Sequence, residues 1–117
     1  MTYVDGFLLP VKKDRIDEYR KVAELGRDTW LGYGALSYVE AVADDVSVGV
    51  LTSFPRAVHL QEDEVVVFSW ITYASREARD EINAKVMADP RMKQEMEKMP
   101  FDGKRLIFGG FNSIVEG

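Results

Sequence analysis

The sequence predicts one α+β domain: a four-stranded antiparallel sheet with helices on one face, in the ferredoxin-like order βαββαβ. Three observations predict it. Strand-like stretches, EVVVFSWITY (64–73) above all, alternate with amphipathic stretches at helical spacing. Turn residues separate these stretches, and no linker, repeat or low-complexity tract interrupts them. Hydrophobic residues make up 46% of the 117 residues, enough to build one core without staples and too few residues for a second domain. The whole chain, 1–117, is therefore expected to be a single domain.

Each element follows from its own residues. Residues 3–9 (YVDGFLL) alternate as a strand, with Tyr3, Asp5, Phe7 and Leu9 on one face, and Pro10 is expected to end it. From Asp14 to about Leu31, Ile16, Tyr19, Val22, Ala23 and Trp30 recur at helical spacing. Asp14 is placed to cap this helix, and Gly32 and Gly34 to end it. Residues 35–43 (ALSYVEAVA) form the second strand, Asp44-Asp45 turns, and 46–52 (VSVGVLT) extends the strand. Pro55 argues against a central strand in 53–63, where Ala57 to Leu60 suits a short helical turn. The near-continuous apolar run of 64–73 fits a strand buried on both faces. Ser75 caps a helix to about Ala88, and Asp89-Pro90 starts another, with Met92, Met96 and Met99 along one side. Pro100 and Asp102-Gly103 close it, and 104–112 (KRLIFGGFN) is the last strand.

This arrangement has a consequence for assembly. The helices cover one sheet face, yet the third strand is apolar on both and aromatics are spread over the others. A lone chain would leave an apolar face wet, so a homodimer through that face is expected.

Composition excludes several classes. With no cysteine, disulfides, thiolate metal sites and a cysteine nucleophile are ruled out. A net charge of −5, with bases interleaved among acids as in Arg76-Glu77 and Arg79-Asp80, argues against nucleic-acid binding and reads as a solvated helix face. The opening MTYVDGFLLP lacks a basic segment and is broken by Asp5, so no signal peptide, no membrane span and a cytoplasmic location are expected. No Walker pattern, nucleophile elbow, dinucleotide fingerprint or HExxH occurs, and no cofactor is expected.

The segments YVDGFLLPV (3–11), YVEAVADDV (38–46), TSFPRAV (52–58), VVFSWITYASREARDEINAKVMADPRM (66–92) and MPFDGKRLIFGGF (99–111) resemble the YbaA-like family of small bacterial proteins, a domain of unknown function. The resemblance covers nearly the whole chain. It implies a fold of the dimeric α+β barrel type. Members of that superfamily include cofactor-free monooxygenases, haem-degrading enzymes and small-molecule binders. The family has no established catalytic residues, so the resemblance assigns none.

The residues themselves offer candidates. The pattern Tyr-Val-acid occurs twice, as Tyr3-Val4-Asp5 and Tyr38-Val39-Glu40, inside strands that disfavour acids. Each acid shares a strand face with its tyrosine and either faces water or is held by a partner in a cleft, where it could act as a base. Trp70, Phe54, Phe101 and the Met92, Met96, Met99 row could line a pocket for an apolar or aromatic ligand, or simply form core. Arg91 could clamp a carboxylate or pair with Asp89. His59, the single histidine, is a loop residue before it is a base or ligand. Taken together, Tyr3, Asp5, Tyr38, Glu40, Trp70 and Arg91 are the expected ligand-binding residues of a pocket between sheet and helices. The alternative is a non-catalytic dimer acting through a protein partner.

Overall fold

A computed structural model describes residues 1–117. The elements are β1 (Tyr3–Lys12), α1 (Ile16–Gly32), β2 (Ser37–Val42), α2 (Phe54–Ala57), β3 (Glu64–Tyr73), α3 (Arg76–Ala88), α4 (Pro90–Met96) and β4 (Ile107–Asn112). The four strands form one antiparallel sheet in the order β2-β3-β1-β4. The three longer helices lie on one face. No helix is long and apolar enough to cross a membrane.

The long strands β1 and β3 are central, paired over their full length from Tyr3 opposite Tyr73 to Lys12 opposite Glu64. Strand alternation sends Tyr3, Asp5, Phe7, Leu9 and Val11 toward the helices. There Tyr3, Ile71, Tyr73, Ile82, Val86 and Met92 form one core cluster, and Leu9, Val11, Tyr19 and Val67 a second. Close approach explains one glycine. A Cβ at Gly110 would overlap the ring of Tyr3, which lies across this point of β4.

The barrel implied by the family resemblance is not formed. The sheet is open, with β2 and β4 as its edges, separated by β3 and β1. The physical reason is strand number: a closed barrel filled by side chains takes about eight strands, and four cannot curl through a full turn. What stands is an α+β fold with a four-stranded antiparallel sheet and helices on one face.

Several local expectations also change. Pro10 does not end β1, which runs on to Lys12. Pairing with β4 stops at Leu8, so beyond it one flank of β1 has no ladder for proline to break. Asp14 does not cap α1. Residues Lys13–Arg15 make a 3-10 turn, and α1 starts after it with no side-chain cap. Residues 46–52 do not extend β2. Val42 faces Val67, so at this register β3, which begins at Glu64, is exhausted by Asp45 and leaves them no strand to pair with. Instead Arg56 donates to the carbonyls of Val48 and Gly49 and holds the loop. The short helix spans Phe54–Ala57 rather than Ala57 to Leu60, because Ser53 accepts the Arg56 N–H and Pro55 suits a first turn. The last strand begins at Ile107, after a 3-10 turn over Gly103–Arg105.

Candidate functional site

Between the sheet and the helices lies a cavity of about 620 Å³. Its floor is the helix-facing side of β1, β2 and β3. Register places Asp5 opposite Ile71 and Glu40 opposite Ser69, so the two acids stand on either side of β3 and line the same space. α1 supplies Tyr19, Ala23 and Trp30, and α3 supplies Arg79 and Asn83. Met92, Met96 and Met99 lie along one wall with Phe101. A smaller cleft of about 340 Å³ at the β2 edge also reaches Glu40, between α1 and β2.

The two acids are held differently. Asp5 is buried and paired with Arg79, whose Nη1 donates at 2.7 Å, while the Tyr73 hydroxyl donates at 3.0 Å. Arg79 also stacks on the Tyr3 ring, 4.9 Å from its centroid, and bonds Asp80. Glu40 has no ion pair. Its two oxygens accept from the hydroxyls of Tyr19 and Tyr38, both at 2.7 Å. Burial, and then the charge of Glu40, hold both phenols well above the ordinary tyrosine value, so they remain donors at neutral pH. Burial and the charge of Asp5 do the same for Tyr73. The backbone makes room for this arrangement: a Cβ at Gly26 of α1 would stand 2.7 Å from the Tyr38 hydroxyl.

A third polar group completes the site. The Asn83 Oδ1 accepts from Trp30 Nε1 at 3.0 Å and lies 3.4 Å from the Tyr73 hydroxyl, whose one hydrogen goes to the nearer Asp5. The indole donor orients the amide, and its NH₂ finds no acceptor on the protein. The cavity therefore offers a carboxylate with two attached phenols, a neutral amide donor, and an ion pair already closed on itself. Aromatic and thioether groups fill the space between them.

Asp5, Tyr38 and Glu40 line this cavity, while Tyr3 lies just outside it beneath Arg79. Trp70 points to the opposite sheet face, against Phe68 at 5.5 Å. Arg91 is a surface residue paired with Asp89 at 3.0 Å. That bond, with the Tyr33 hydroxyl, holds the Asp89 carboxyl well below the usual range. Phe54 packs against Phe68 away from the cavity, and His59 is exposed in the loop after α2.

Arg79 corrects the reading of α3 as solvated at Arg79-Asp80. Its side chain is only 18% exposed. Arg79 stands three and seven residues before Ile82 and Val86, on the buried face of the helix, and that spacing was the signal. Tyr19 was visible in the same way, on the apolar stripe of α1. Trp30 and Tyr73 looked like plain core, and nothing in the sequence marked Asn83.

Comparison with known proteins gives two kinds of likeness. Residues 2–103 match the family model described as a protein of unknown function, DUF1428. Protein YbaA of Escherichia coli K12 is 52% identical over 116 residues, covering 99% of each chain, and YbaA of Shigella flexneri matches equally. Among solved structures, Rv0793 of Mycobacterium tuberculosis superposes with a TM-score of 0.61 at 14% identity, over 99% of this chain and 98% of that one. At3g17210 of Arabidopsis thaliana follows at 0.56 and 13% identity, over 97% and 98%. At these identities the structural likeness concerns the fold alone.

Proposed function

Because this chain belongs to the DUF1428 family, whose YbaA members match it end to end, we propose a shared role read from its own cavity: binding of a small apolar or aromatic ligand between sheet and helices. One observation carries this reading. An aromatic and methionine-lined space of about 620 Å³ converges on a few oriented polar groups. That volume lies within the roughly 300–1,000 Å³ of ordinary small-molecule sites, and few polar groups in an apolar wall is their usual chemistry. Four of the five methionines of the chain line it, and methionine reshapes easily around a guest.

Glu40 and Asn83 are the groups that would meet a polar part of the ligand. Asp5 would act by holding Arg79 and Tyr73 in place. Native mass spectrometry of protein freshly purified from its own host is the test. A reproducible extra mass is expected, retained by the native chain and lost or weakened in Glu40→Gln. Bare protein in every preparation, with no change in any ligand screen on Glu40→Gln or Asp5→Asn, would remove the cavity from the function.

We further propose that a second copy of the chain covers the other sheet face. Val4, Leu8, Trp70, Phe68, Ile107 and Phe111 form an apolar surface there, with Phe111 62% exposed. A patch of this kind marks an interaction site. Phe111→Glu is expected to convert a dimer to a monomer in analytical ultracentrifugation, with cavity binding retained. A native chain that sediments as a monomer at micromolar concentration would give this face to a different protein partner.

A further inference from the structure

Resting on the cavity reading above, we infer that the ligand is an organic cation, whose positive group sits against the Glu40 carboxylate. Three observations carry this assignment. The first is the unequal treatment of the two acids. Asp5 has its counter-charge in Arg79 at 2.7 Å. Glu40 has only phenol hydroxyls, which share its charge without cancelling it. The arginines that border its outer cleft are engaged elsewhere, Arg20 with Asp17 at 2.9 Å and Arg27 with Asp28 at 3.0 Å.

The second observation is the charge of the wall. Asp5, Glu40 and Glu97 line the cavity against a single guanidinium, Arg79. An anion entering this space meets uncancelled negative charge, and a cation relieves it. The third is the company Glu40 keeps. The rings of Trp30 and Tyr38 lie with centroids 6.0 Å apart, and Tyr19 meets Phe101 edge-on at 6.1 Å. Aromatic faces beside a carboxylate attract a positively charged nitrogen and leave the rest of an apolar molecule in contact with Met96, Met99 and Phe101.

The two free lone pairs left on Glu40 suit an ammonium or amidinium N–H. The phenols hold the carboxylate in one orientation, so little ordering is needed when the ligand arrives. The Asn83 NH₂ would donate to an oxygen at another part of the same molecule.

Three indole probes of similar shape and different charge test the assignment: tryptamine (cation), tryptophol (neutral) and indole-3-propionate (anion). Binding is followed on the native protein by the methyl signals of Met96 and Met99 and the Trp30 indole N–H. Tryptamine is expected to bind at least tenfold more tightly than tryptophol, and indole-3-propionate more weakly than both. Glu40→Gln should bring tryptamine to the affinity of tryptophol and leave tryptophol unchanged. Tyr38→Phe keeps the charge and should keep the preference, which guards against a Glu40 variant that does not fold. Equal binding of tryptamine and tryptophol at these signals would overturn the charge assignment while the cavity reading stands. Stronger binding of the anion would do the same. If none of the three moves the cavity signals, both readings fall together.

Discussion

Replacing Arg105 with alanine is expected to lower stability by about 3 kcal/mol, the low end of the scale for breaking a buried ion pair from one side, because the Arg105 side chain stays 17% exposed. Arg105 donates to both oxygens of Glu64 at 2.7 Å, and the Glu64 side chain is only 4% exposed. The same guanidinium bonds the His59 carbonyl at 3.1 Å and Asp102 at 3.1 Å. It thus ties the loop after α2 to the turn before β4. Without it, a buried carboxylate keeps only the Gln61 N–H at 2.8 Å. Urea unfolding followed by tryptophan fluorescence measures the loss. A change below about 0.5 kcal/mol, the range of ordinary surface substitutions, would deny Arg105 this role.

The pH dependence follows from the same pair. The hydrogen bond from Arg105 holds the Glu64 carboxyl below its ordinary value. A carboxyl depressed in the folded state contributes stability above its unfolded pKa, roughly 4.3, and loses it as pH falls through the folded value. In the alanine variant the buried carboxyl gains by protonation instead. The stability gap between native protein and variant should therefore be full at pH 7 and narrow below about pH 4.5. A gap constant from pH 7 to pH 3 would mean that packing, not charge, ties Arg105 to the fold.

The second large effect lies under the candidate site. Arg79→Met is expected to cost about 3 kcal/mol, because Asp5 would remain buried with only the Tyr73 hydroxyl as donor. Removing the acid as well, in Asp5→Leu with Arg79→Met, should recover most of that loss, since an apolar pair of similar volume no longer buries a charge. A double-mutant cycle reads the coupling directly. Losses that add to within about 0.5 kcal/mol would show that the two side chains act independently and that the ion pair contributes nothing. The result bears on function: if Asp5 is a positioning residue, the double variant should keep a cavity in which Glu40 is unchanged.

The element order was legible in the sequence because local physics decides it. Ser75 and Asp89 cap α3 and α4 as their residue types demand, accepting the N–H groups of Ala78 and Arg91. The β-branched run of 64–73 is β3 from its first residue to its last. Boundaries failed where a neighbour, not the residue, made the decision. Pro10 stays in β1 because β4 has already ended, and 46–52 stays irregular because it lies beyond Glu64, where β3 begins.

The site divides along the same line. Alternation alone puts Asp5 and Glu40 each beside its tyrosine on one strand face, and the pattern Tyr-Val-acid marked both positions. Only strand order decides that these faces meet across β3, and only helix packing brings Arg79 to one acid and Tyr19 to the other. Trp70 shows the converse: its residue type suited a pocket, but its place one residue after Ser69 sends it to the opposite face. By itself the sequence determined the order of strands and helices, the caps at Ser75 and Asp89 and the alternation of side chains along each strand, because those depend on the backbone period and near neighbours. Which acid is neutralised by an arginine and which has phenol hydroxyls alone was decided by contacts between residues far apart in the chain, which no local pattern encodes.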